Sequence, residues 1–94
     1  MKTVSILVPE LSVIQAIADP QYIFSAVNQF YEMSGNKAVF KVQLVGVKKE
    51  IKLNNGIYAV HPDLLLQDVK KTDLIIIPAL FGDMAKAVEK NKKM

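Results

Sequence analysis

The sequence predicts an α/β protein built on a parallel sheet, and three observations carry that prediction. Strand-like and helix-like segments alternate in the order β-α-β-hairpin-α-β-α, which implies right-handed crossovers and a parallel core. The run Leu74-Ile75-Ile76-Ile77, bounded by Asp73 and Pro78, is continuously apolar, as in a strand buried on both faces of a parallel sheet. Asn55-Gly56 stands between two short alternating runs, a strong hairpin signal because the turn needs positive φ at both central residues. The fold class expected is therefore a flavodoxin-like three-layer parallel sheet, partial, with a β-hairpin extension at one edge.

Each element has a local reason. Residues 3–8 are β-branched and apolar and read as the first strand, which Pro9-Glu10 ends. Residues 12–18 suit a short helical piece with Ser12 as N-cap. Asp19-Pro20 then reads as a new start, since Asp caps and Pro fits the first helical position. From Pro20 to Ser34, Ile23, Phe24, Val27, Phe30 and Tyr31 recur at helical spacing and predict one stripe packed on the sheet. Gly35-Asn36 is the stop signal. Residues 39–46 read as the second strand, and residues 50–53 and 57–60 as the arms of the hairpin. Residues 63–70 suggest a short helix with Leu64, Leu65 and Val69 inward. Residues 73–78 form the third core strand, and Asp83 to Lys92 a final helix with Met84, Ala87 and Val88 on one side. The strand order expected for the core is second-first-third, as in doubly wound sheets.

The third strand has no later strand to cover its far side, because residues 81–94 read as one helix and a lysine-rich tail. Residues 1–94 are accordingly expected to be the N-terminal half of an α/β domain. An open apolar strand edge is a template for another chain. Self-association is expected through the 73–78 edge and the surface after it, with Leu74, Ile76, Leu80, Phe81, Met84 and Val88 at the interface.

Composition excludes several classes. The chain has 94 residues, enough for one small domain, and its 51% hydrophobic content excludes a disordered protein. No apolar run approaches the roughly 18 residues of a membrane span. Pro9-Glu10 follows the first apolar run where a signal peptide would carry small residues, so no membrane association is expected and the location expected is cytoplasmic. Cysteine is absent, which removes disulfides, thiolate metal sites and a thiol nucleophile. No cofactor is expected. All 12 basic residues are Lys and the net charge is +3. Without Arg there is no guanidinium fork for bidentate phosphate or guanine recognition, and the lysines are spread along solvated faces.

Candidate functional residues are few. Glu10 lies just past the first strand, at the carboxyl end where open α/β sheets bind ligands, and reads either as a pocket carboxylate or as a solvated loop residue. Ala79 and Leu80, in the turn after the third strand, either line a small-molecule pocket with Glu10 or form an apolar loop. His61, the one histidine, reads as a loop residue, because no nucleophile stands ready for it to serve as a base. Asp19 and Asp83 read as helix caps, and the four glycines are too far apart for a phosphate loop. Tyr22, Phe24, Phe30 and Tyr31 read as core and interface side chains.

Three sets of residues also carry a resemblance. Pro20, Phe24 and Asn28 fit a Pro-x-x-x-Phe-x-x-x-Asn helix. Phe40-Lys41-Val42-Gln43-Leu44-Val45-Gly46 matches a second strand. The hairpin with Asn55-Gly56, then Val60-His61-Pro62-Asp63 and Asp73-Leu74-Ile75-Ile76-Ile77-Pro78, complete the pattern. In this order they resemble the first half of the ThiJ/PfpI superfamily, the class I glutamine-amidotransferase-like and DJ-1-like fold, and above all the amidase-like domain of AraC-type transcription regulators. The resemblance implies a non-catalytic sensor or oligomerisation portion of such a regulator, with DNA bound only through helix-turn-helix units outside these residues. It implies no enzyme activity in this chain: the family's nucleophilic Cys would lie beyond Met94, and its glycines after the third strand are here Ala79-Leu80. An acidic residue near Glu10 lies by the nucleophile in the superfamily. Two other readings stay open, the first half of a ThiJ/PfpI-type amidase, protease or glyoxalase, and a free-standing small α/β interaction domain.

Overall fold

The first strand is the centre of the molecule. The computed structural model describes residues 1–82, 84–92 and 94, and in it β1 (Lys2–Leu7) lies between β2 (Phe40–Gly46) and β6 (Leu74–Ile76). Both pairings are parallel, with Val4 beside Val42 and Leu74 and with Ile6 beside Leu44 and Ile76. The short β5 (Leu64–Leu65) pairs parallel with β2, so the sheet order is β5-β2-β1-β6. This is the second-first-third order that the sequence predicts, in an α/β fold consistent with part of a flavodoxin-like sheet.

Alternation along β1 divides the sheet into two unlike faces. Val4, Ile6 and Val8 are buried together with Ile17 of α1 (Ile14–Met33) and with Ile51, Leu53 and Val60 of the hairpin. Phe24 meets Phe40 edge-to-face at 4.9 Å between ring centres. The opposite face carries a buried polar chain. Gln43 Nε2 donates to Ser5 Oγ at 2.9 Å, and Ser5 Oγ donates to Thr72 Oγ1 at 2.8 Å. No buried side-chain nitrogen or oxygen among the described residues lacks a partner, so this chain avoids the desolvation penalty of an unpaired group.

Several elements depart from the sequence-based expectations. The helix starts at Ile14 and runs through Pro20, so residues 12–18 and 20–34 are one element. Pro20 removes one N–H from the ladder, yet Ile14, Ile17 and Phe24 all pack on the sheet from the same helix, and their burial outweighs one lost bond. Ser12 does not cap the helix. Val13 holds the N-cap position and the Ser12 hydroxyl donates to the Pro9 carbonyl. The apolar stripe is narrower than expected: Phe24 and Val27 are half-buried, whereas Ile23, Phe30, Tyr31 and Tyr22 are exposed. Ile23 and Phe30 are seven residues apart and share a face turned away from the sheet.

The hairpin β3 (Ile51–Leu53) and β4 (Tyr58–Val60) is a separate two-stranded sheet, not a further strand beside β2; β5 holds that edge. Ile51, Leu53 and Val60 fold over the apolar face because burying three aliphatic side chains there gains more than one more edge pairing. Its turn is centred one residue before Asn55-Gly56. The Gly56 N–H closes on the Leu53 carbonyl at 3.2 Å, and Asn54 and Asn55 take the positive φ values of 53° and 55°. Residues 63–70 are β5 and a 3-10 turn (Leu66–Asp68), not a helix. The pairing of Leu64 and Leu65 with β2 decides that outcome.

The third strand is not buried on both faces. Ile76 packs against the apolar core, but Ile75 is 54% and Ile77 is 74% exposed. In α2 (Met84–Lys90) only Ala87 is buried, and Met84 and Val88 are exposed. The expected cap Asp83 lies outside the described residues.

Asparagine and aspartate side chains fasten the strand ends. Asn28 Oδ1 accepts from the N–H groups of Val39 and Phe40, and its Nδ2 donates to the Phe40 carbonyl at 2.7 Å. Asp73 Oδ2 accepts from the Thr3 N–H at 2.8 Å, while its own N–H donates to the Thr3 carbonyl at 2.8 Å. Asp63 repeats the device on Leu44.

Two outcomes follow from these clamps. Asn28→Ala removes three hydrogen bonds between helix and strand and should cost about 2–3 kcal/mol, read as a lower urea midpoint at unchanged slope. The Thr3 N–H, helped by Lys2, Lys71 and the N-terminus, holds the Asp73 carboxyl below its ordinary 3.8 against a smaller opposing effect of desolvation. A lowered carboxylate pKa adds stability that is present above 3.8 and lost as pH falls through the lower folded-state value. Acid titration of Asp73→Asn should therefore show a shallower loss of stability below pH 3.8 than the unaltered chain.

Candidate functional site

Ligands of open α/β sheets bind outside the carboxyl ends of the strands, and here that end is built from two loops tied together. The loop after β1 and the loop after β6 run antiparallel. The Phe81 N–H donates to the Leu11 carbonyl at 2.7 Å, the Val13 N–H donates to the Ala79 carbonyl at 2.9 Å, and Ser12 bridges Leu80. Leu11 sits in the left-handed region at φ 63°, a conformation that costs a non-glycine residue roughly 1 kcal/mol or more. Its carbonyl is thereby presented to Phe81.

Above this tie lies an open cleft of about 470 Å³. Leu11 to Gln15 form one wall, Asn54, Asn55 and Tyr58 of the hairpin a second, and Phe81, Gly82 and Lys86 a third. The hairpin reaches this place because its turn follows β2 and its inner residues are anchored in the core. A second hollow, of about 420 Å³, lies at the amino ends of β1 and β2 between Met1, Val27, Tyr31 and Phe40. Lys2 also lines it, but it lies away from the carboxyl ends of the strands, and the cleft is the stronger candidate.

The residues singled out from sequence separate. Glu10 does not line the cleft. It is half-buried, and its Oε1 accepts from Lys48 Nζ at 2.9 Å. Its backbone is held by the carboxamide of Asn91, whose Oδ1 accepts from the Glu10 N–H at 2.6 Å and whose Nδ2 donates to the Glu10 carbonyl at 2.7 Å. Ala79 and Leu80 contribute backbone to the tie, and the next residue, Phe81, lines the cleft instead. His61 is exposed, 3.8 Å from Glu50 Oε2 and outside the cleft. Asn91, Lys48 and Tyr58 carry no sequence pattern that links them to this end of the sheet. The positive-φ preference of Asn54-Asn55 was the one legible hint.

Among the described residues no cluster of three or more His, Asp or Glu could hold a metal ion, and no helix is long and apolar enough to cross a membrane. Fold and site together define an α/β protein with a parallel four-stranded sheet and a cleft at its carboxyl end. No protein-family model and no curated protein matches the chain.

The Asn91 carboxamide ties the end of α2 to the loop after β1, since its Nδ2 also donates to the Ala87 carbonyl at 2.9 Å. Asn91→Ala should leave the sheet intact and loosen the helix. Amide exchange across Met84–Lys90 should quicken about tenfold while that of β1 stays unchanged.

Proposed function

We propose that these residues form the non-catalytic sensing and self-association portion of an AraC-type transcription regulator, DNA contact belonging to helix-turn-helix units outside them. The resemblance to ThiJ/PfpI-type domains supplies the family, and the absence of any thiol supports a role without turnover. One observation carries the assembly part of the reading. Ile75, Ile77, Phe81, Met84 and Val88 are all exposed on β6, the loop after it and α2, at values from 51% to 74%. Exposed large apolar side chains concentrated in one stretch of chain are candidates for an interface, and among the described residues no strand pairs with the outer edge of β6.

Ile75 and Ile77 are the positions at which to test it. Ile76 packs on the core, so a charge there would disturb the fold itself. Sedimentation velocity of the unaltered chain should show a dimer or larger species, and Ile75→Lys or Ile77→Lys should shift it to monomer with an unchanged circular dichroism spectrum. A monomer for the unaltered chain at high concentration would remove the assembly role.

A further inference from the structure

We propose that Asn55 is a site of spontaneous covalent modification: its carboxamide cyclises onto the Gly56 nitrogen with loss of ammonia, and the isoaspartyl product loosens the hairpin. The proposal stands apart from the sensing and assembly roles and adds a chemical change that the folded chain undergoes without an enzyme.

Access selects the residue. Asn55 and Gly56 lie exposed between β3 and β4. Gly56 carries no side chain to hinder the approach of its nitrogen, and the space where one would stand is open. The Asn55 carboxamide makes no hydrogen bond among the described residues, so nothing holds it away from that nitrogen. The other asparagines fail on one count or the other. Asn28 and Asn91 each make hydrogen bonds through both polar atoms of the carboxamide. Asn36 and Asn54 are exposed, but Lys37 and Asn55 follow them, and their side chains crowd the attacking nitrogen.

The steps balance. The Gly56 N–H first leaves the Leu53 carbonyl, to which it donates at 3.2 Å. The deprotonated nitrogen attacks Asn55 Cγ. A new C–N bond forms, the Cγ–Nδ2 bond breaks, and Nδ2 departs as ammonia with the proton relayed through water. Water then opens the succinimide ring. Cleavage of the new bond gives aspartate, and cleavage of the original peptide bond gives isoaspartate. Aspartate keeps the chain length and tolerates the left-handed conformation held at this position, φ 55°. Isoaspartate puts a methylene into the main chain, inside a turn whose hydrogen bonds set Leu53 opposite Tyr58. That register seats Ile51, Leu53 and Val60 in the core, and the hairpin also forms one wall of the cleft. Lengthening the turn therefore loosens both.

Incubation of the full chain at neutral and mildly alkaline pH, then trypsin digestion and mass spectrometry, tests this. Cleavage after Lys52 and Lys70 isolates residues 53–70, whose asparagines are Asn54 and Asn55 alone. This peptide should gain the mass of an amide-to-acid exchange, faster at the higher pH. Fragmentation should place the change at Asn55 and show both aspartate and isoaspartate. Asn36 and Asn54 should lag behind, and Asn28 and Asn91 should react only in a control held in urea. In the isolated isoaspartyl chain, amides of Ile51–Leu53 and Tyr58–Val60 should exchange about tenfold faster than in the unaltered chain, while those of β1 stay protected. Asn55→Asp carries the charge without the added atom, suits the same turn, and should leave hairpin exchange unchanged. No reaction at Asn55 in the folded chain, or reaction at Asn36 or Asn54 ahead of it, would overturn the proposal. So would an isoaspartyl chain whose hairpin exchanges like the unaltered one, or an Asn55→Asp hairpin loosened to the same extent.

Discussion

Parallel strands have no tight turn to set their register, and this sheet sets it with asparagine and aspartate side chains that grip single residues by the backbone. Asp73 holds Thr3, Asp63 holds Leu44, Asn28 holds Phe40 and Asn91 holds Glu10, each bonding both the N–H and the C=O of its target, with the residue's own N–H or its carboxamide as donor. The first two sit immediately before β6 and β5 and align those strands on β1 and β2. Asn28 fixes where β2 begins relative to α1. A slip of one residue would turn Val4, Ile6 and Val8 to the opposite face, so the apolar core depends on these clamps as much as on its own hydrophobicity.

The two faces of the sheet then follow different rules. The apolar face is filled from two directions, by α1 and by the hairpin, and that double demand explains why the helix continues through Pro20 and why the hairpin leaves the sheet. The other face keeps Ser5 and Gln43 buried, linked by hydrogen bonds to Thr72. A chain of satisfied hydrogen bonds there holds the 72–73 segment against β1 and reinforces the same register.

At the carboxyl end, backbone shape matters more than any charged group. The tie between residues 11–13 and 79–81 brings Phe81 beside the start of α1, and the positive φ of Leu11 is part of its geometry. Glu10, the conspicuous carboxylate of the sequence, is held by Lys48 and Asn91 and does not line the cleft. The cleft and the carboxylate are thus neighbours in sequence and separate in space.

The sequence pattern was enough to determine the fold class, the strand order β2-β1-β6, the end of α1 just before Gly35 and the presence of the hairpin. The elements rest on signals carried by adjacent residues, apolar runs, the Gly35-Asn36 stop and Asn55-Gly56, and the strand order on the general rule for doubly wound sheets. Tertiary structure decided the rest. Whether Pro20 starts a helix or is spanned by one depends on what Ile14 and Ile17 bury. Whether Leu64 and Leu65 form a turn of helix or an edge strand depends on a free edge of β2 and on Asp63 reaching Leu44. Which residues line the cleft depends on three parts of the chain meeting at one end of the sheet, while Asn91 closes on Glu10 from the far end of the sequence. Such meetings are set by long-range packing and hydrogen bonding, to which no short stretch of sequence is a guide.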